Sequence, residues 1–68
     1  MTDTERLRNI IKGKGLKFKY VAGCLGLSEY GFSLKISNKQ EFKVSEVNTL
    51  CELLDITKLS DKEAIFFK

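Results

Sequence analysis

Apolar residues recur at helical spacing in several short stretches of this chain, separated by turn-forming residues. The first stripe is Leu7, Ile10 and Ile11. It comes after Thr2-Asp3-Thr4-Glu5, which fits a capping box with Thr2 reaching forward and Glu5 reaching back, or alternatively Thr4 as the cap. Gly13 and Gly15 loosen its end, so the helix stops near Lys14 and Leu16 tucks beneath it. A second helix spans Phe18 to Leu25, with Val21, Ala22 and Leu25 on one face. A third spans Glu29 to Ile36, with Phe32 and Ile36 inward. Between them Gly26 supplies the positive φ that ends a helix, Leu27 plugs the corner and Ser28 caps the third helix. Ser37-Asn38 is a helix stop, because Asn tolerates left-handed geometry. Phe42 and Val44 anchor the next loop. Ser45 caps a fourth helix whose inward stripe is Val47, Leu50, Cys51 and Leu54, broadened by Leu53, with Asn48 and Glu52 outward. It ends around Asp55, and Ile56 and Leu59 bracket a loop. Ser60-Asp61-Lys62-Glu63 is another capping box, opening a last helix through Ala64, Ile65, Phe66 and Phe67.

The pattern predicts an all-α fold, a compact bundle of about five short helices, as one domain over residues 1–68. Composition agrees. Hydrophobic residues make up 43%, too many for a disordered tail, and the absence of proline disfavours many-turned β structure. No apolar run approaches the roughly 20 residues of a membrane span. The polar Met1-Thr2-Asp3-Thr4-Glu5-Arg6 start shows no signal peptide, so the expectation is a cytoplasmic protein away from membranes.

Charge changes the picture more. The formal net charge is +3. From Met1 to Lys43 nine cations face four acids, giving +5; from Val44 onward three face five, giving −2. A basic half and a mildly acidic half suit a polyanion partner, against the plainer alternative of an ordinary solvated surface. Cys24 and Cys51 are far apart and no His exists to complete a metal site, so both read as small core residues and no metal or cofactor is expected. An enzyme is not expected: no Ser or Cys has a base beside it, and no glycine-rich phosphate loop succeeds a strand.

The stretch from Phe18 to Ile36 has the make-up of a helix-turn-helix, whose second helix is free to lie in the DNA major groove. Ala22, Gly26, Leu27, Ser28 and Phe32 resemble the small, Gly, apolar, cap and apolar positions of the Cro and repressor-type helix-turn-helix family. Leu34-Lys35-Ile36-Ser37-Asn38-Lys39-Gln40-Glu41-Phe42 is similar to the variant in small Cro-like phage proteins, and residues 44–67 to that family's last two helices. The chain departs from the pattern at Phe18, where many members carry Gln, and at Gly31 within the recognition helix. The resemblance implies a lambda-repressor-like DNA-binding fold and a repressor of the Cro type.

On that footing Ser28, Glu29, Tyr30, Ser33 and Leu34 are the base or groove residues. Ser28 bonds a phosphate or base, Glu29 accepts from a cytosine amino group, and Ser33 serves either kind of base edge. Tyr30 stacks along the groove wall or bonds a phosphate. Leu34 packs on thymine methyls or, equally, in the core or a dimer contact. Gly31 costs roughly 1 kcal/mol of helix stability against Ala and brings the helix close to DNA or to the second helix. Lys17 and Lys19 at the start of the second helix, with Lys35, Lys39 and Lys43 through the end of the third and beyond, are the phosphate contacts. Ile65, Phe66 and Phe67 carry more apolar area than one edge of a small bundle covers, so they are candidate contacts to a second copy in a homodimer. The functional expectation is a sequence-specific regulator on double-stranded operator DNA, acting by occlusion. The alternative is a protein-interaction module, such as an anti-repressor or a non-DNA-binding relative, kept open by Glu29 and Leu34.

Overall fold

The computed structural model describes residues 1–67, and among them there are five α-helices and no strand. They are α1 (Thr4–Gly13), α2 (Phe18–Cys24), α3 (Glu29–Ile36), α4 (Val44–Leu53) and α5 (Leu59–Phe66). The Cα radius of gyration is 10.7 Å, against about 11 Å for one folded domain of this length. The all-α expectation holds.

Four helices end by the same device. After α1, Gly15 (φ 71°) donates its N–H to Lys12 and Leu16 donates to Ile11. After α2, Gly26 (φ 71°) donates to Gly23 and Leu27 to Ala22. After α3 the pair is Asn38 (φ 61°) to Lys35 and Lys39 to Leu34; after α4 it is Asp55 (φ 56°) to Glu52 and Ile56 to Cys51. Each left-handed residue turns the chain so that two orphan carbonyls are satisfied. At three ends the residue just beyond is apolar and turns into the core: Leu16, Leu27 and Ile56. At the end of α3 it is Lys39, which stays exposed.

The core holds Leu7 and Ile11 from α1, Val21 and Ala22 from α2, Phe32 and Ile36 from α3, Leu50, Cys51 and Leu54 from α4 and its cap, and Ile65 and Phe66 from α5. An edge-to-face chain of rings threads it. Phe18 meets Phe32 at 5.8 Å, Phe32 meets Phe42 at 6.2 Å, and Phe42 meets Phe66 at 6.1 Å. Such pairs add roughly 0.5–1.5 kcal/mol each beyond their buried area. They tie the start of α2, the middle of α3, the α3–α4 loop and the end of α5 together.

Helix starts differ from the sequence reading. Asp3, neither Thr2 nor Thr4, caps α1 by accepting from the Arg6 N–H, while Thr2 is buried. Lys43 is the N-cap of α4, because the Glu46 carboxylate reaches back to the Lys43 N–H at 2.8 Å. Ser45 therefore lies inside the first turn, where its carbonyl accepts from the Thr49 hydroxyl. Val44 is exposed and anchors nothing. Lys58 precedes α5, so Ser60 is within the helix and caps nothing.

Cys24 is a further correction: it is exposed. The inward face of α2 is taken by Val21 and Ala22, and Cys24 shares the outer face with Tyr20, one turn earlier. Ile65 and Phe66 are buried in the monomer and are unavailable to a second copy. Phe67 alone of the three is exposed.

Candidate nucleic-acid interface

The α2–α3 pair is built by three local choices. Gly26 reverses the chain at positive φ, Leu27 packs against the core, and Ser28 receives the Gly31 N–H on its hydroxyl oxygen at 3.0 Å. Gly31 now has a physical reason. A Cβ there would meet the Ser28 Oγ at 3.2 Å and nothing on α2, so the missing side chain leaves room for the cap.

Phe32, Lys35 and Ile36 form the inward side of α3. Ser28, Glu29, Tyr30 and Ser33 are exposed, Tyr30 at 73% of its surface. Leu34 is half-buried, and its carbonyl accepts the Lys39 and Gln40 N–H groups. The Ser33 hydroxyl donates back to the Tyr30 carbonyl at 2.7 Å.

Of the five lysines expected at phosphates, Lys17, Lys19, Lys39 and Lys43 are exposed. Lys35 is not. It is 6% exposed and its ammonium is ion-paired with Glu46 at 2.5 Å. The reason is helical spacing: Lys35 comes three residues after Phe32 and so lies on the buried flank of α3. Burial alone raises the Glu46 carboxyl. The Lys35 ammonium and the Lys43 N–H outweigh it, and the group titrates below its ordinary value.

Lys17 and Lys19 line an open groove of about 510 Å³ with Tyr20, Gly23 and Cys24 along α2. The Cys24 thiol beside the Tyr20 hydroxyl pushes that phenol up.

The ion pairs recast the charge pattern. Arg6 pairs with Asp61, Lys14 with Asp55 and Lys35 with Glu46. Each joins a cation of the basic half to an acid of the acidic half, so part of the segregation holds the two halves together. The Arg8 guanidinium is also engaged: it donates to the Ile36 carbonyl and the Ser37 hydroxyl at the end of α3 and lies 5.9 Å from the Phe18 ring centroid. Lys17, Lys19, Lys39 and Lys43 have no ion-pair partner among the described residues.

Two structural residues escaped the sequence reading. Arg8 caps the α3 C-terminus. Asn38, beyond stopping α3, accepts from the Thr2 N–H and donates to the Thr2 carbonyl, clasping the N-terminal segment against the end of α3. The clasp has no local signal, since the partners are 36 residues apart. Lys35 had one in its spacing from Phe32.

Among the described residues no cluster of three or more metal-ligating side chains occurs, and no helix is long and apolar enough to cross a membrane. The chain matches no family model, no curated protein and no solved structure.

Proposed function

We propose that this protein is a sequence-specific double-stranded DNA-binding regulator, with α2 and α3 as its helix-turn-helix and α3 as the recognition helix. The observation that carries the reading is one arrangement. The α3 residues Glu29, Tyr30 and Ser33 are presented to solvent while Phe32 and Ile36 hold the helix from behind, and the exposed lysines Lys17, Lys19, Lys39 and Lys43 stand at the start of α2 and beyond α3, with Lys43 also lending its charge to Glu46. Side chains near the N-terminus of such a helix reach base edges, and lysines alongside neutralise phosphates. The likeness to Cro-type phage repressors makes operator occlusion in the cytoplasm the mode of action, and of Ile65, Phe66 and Phe67 it is Phe67 that is left to contact a second copy.

A second reading has an observation of its own. With Lys35 withdrawn into the core, the outer face of α3 bears a large exposed aromatic ring and no cation, which suits a protein partner.

Binding to a pool of duplex DNA across a salt series separates the two. Regulator binding weakens by orders of magnitude between about 50 and 200 mM salt if several phosphates are engaged. Lys39→Gln then lowers affinity evenly across sequences and reduces the salt slope by about 1. Tyr30→Ala weakens binding without changing that slope. Failure to bind any duplex at low salt rejects the DNA reading in favour of the protein partner.

A further inference from the structure

The hydrogen bonds within α3 restrict what its outer face can recognise. The Ser33 hydroxyl lies 2.7 Å from the Tyr30 carbonyl oxygen, and that oxygen has no proton to give. The hydroxyl proton is therefore spent, and Ser33 offers only lone pairs outward. Glu29 is an exposed carboxylate on the same edge of the helix, one turn earlier, and it too only accepts. Ser28 is the opposite case. Its oxygen takes the Gly31 N–H, leaving its own proton free. The lysine that α3 carries is turned inward to Glu46.

Resting on the DNA-binding reading above, we propose that Glu29 and Ser33 are specificity-determining acceptors that read exocyclic amino groups in the major groove. In that groove cytosine presents its N4 amino group and adenine its N6, whereas guanine presents acceptors at N7 and O6 and thymine an acceptor at O4. Two acceptor-only side chains meet guanine with like against like, and the desolvated lone pairs go unmatched. Guanine is commonly read by Arg or Lys, and no such side chain reaches outward from α3. Glu29 and Ser33 are four residues apart, about 6 Å along the helix axis. Base steps are about 3.4 Å apart along a strand, so the two amino groups belong to positions about two steps apart. Leu34, half-buried beside them, contributes apolar contact and no hydrogen bond.

The test is selection from randomised duplex DNA with the full chain, followed by base analogues in the selected site. The expected consensus fixes two base pairs about two steps apart, with the C or A of both on the same strand. Removing the amino group there, with 2-pyrimidinone for cytosine or purine for adenine, weakens wild-type binding roughly ten-fold. At one position the loss vanishes in Ser33→Ala, and at the other in Glu29→Ala, because neither alanine leaves an acceptor for the amino group. Circular dichroism confirms that both exposed-site variants remain folded. Binding indifferent to removal of the amino group in the base pairs that respond to these variants overturns the inference while leaving DNA binding intact, as does an analogue loss unchanged in either variant. Absence of any selected duplex removes the DNA-binding reading, and the inference with it.

Discussion

The Lys35 ammonium and the Glu46 carboxylate meet 2.5 Å apart with both side chains over nine-tenths buried, joining the inward flank of α3 to the first turn of α4. The same carboxylate accepts from the Lys43 N–H, so one group fixes the pose of α3 and the start of α4 together. A buried pair of this kind is costly to break from one side, because the remaining charge is left without its partner. Lys35→Met is expected to destabilise the fold by about 3–5 kcal/mol, and the Lys35→Met/Glu46→Leu double variant to recover much of that loss. Urea melts of the single and double variants measure it. Equal destabilisation by both would mean the pair is not the source of the effect.

Acid dependence arises from the same carboxylate. Glu46 titrates below its ordinary value in the folded chain, so the unfolded chain takes up the proton first as pH falls. Its contribution is present in full above the ordinary carboxylate value, about 4.3. It is lost as pH drops through the lower folded value. Thermal melts between pH 7 and pH 3 should show wild-type stability falling once pH drops below the ordinary carboxylate value, about 4.3. In Glu46→Gln, which starts from a lower midpoint, the fall is shallower. Parallel curves for the two proteins would assign the acid limb to other carboxylates.

The helix stops make a pair of opposite predictions. Asn38 and Asp55 both hold positive φ, where glycine relieves strain. Asp55→Gly gives up only an ion pair to Lys14 at 3.6 Å, with the Asp55 side chain 83% exposed, an interaction worth little. It should stabilise the protein by up to about 1 kcal/mol. Asn38→Gly keeps the backbone turn but loses both bonds to Thr2, and a net loss of about 1 kcal/mol is expected. Denaturant midpoints of the two variants should move apart in sign. Movement in the same direction would show that the clasp contributes nothing.

What was legible in the chain was what repeats locally. The apolar stripes placed all five helices, because a period of 3.6 is written in neighbouring residues, and Gly15, Gly26 and Asn38 marked their ends. Helix starts were less legible. Glu46 fixes the start of α4 from inside the helix, while Ser45, which looks like a cap, lies within the first turn. The lysines of the proposed interface were legible as a class but not one by one. Lys35 and Lys39 look alike as cations, yet one faces the core and the other solvent; only the spacing of Lys35 from Phe32 hints at it, and the partner that satisfies its buried charge, Glu46, lies eleven residues away. Half-to-half ion pairs such as Arg6 to Asp61 also mimic the charge asymmetry of a polyanion-binding surface until the fold brings the partners together.

The two cysteines, alike on paper, should react very differently. Cys24 sits on the outer face of α2 beside Tyr20, while Cys51 is 4% exposed within α4. Burial pushes the Cys51 thiol up, an effect the nearby Lys62 charge only partly opposes, so its reactive thiolate is scarce as well as shielded. A thiol reagent at neutral pH should modify Cys24 promptly and Cys51 only through opening of the fold, at a rate roughly a hundred-fold slower. In denaturing urea both should react alike. Mass spectrometry of the native protein should therefore show one adduct early, lost in Cys24→Ser. Two early adducts would mean that α4 is not closed against the core, and with it the bracket formed by Lys35, Glu46 and Lys43 would lose its support.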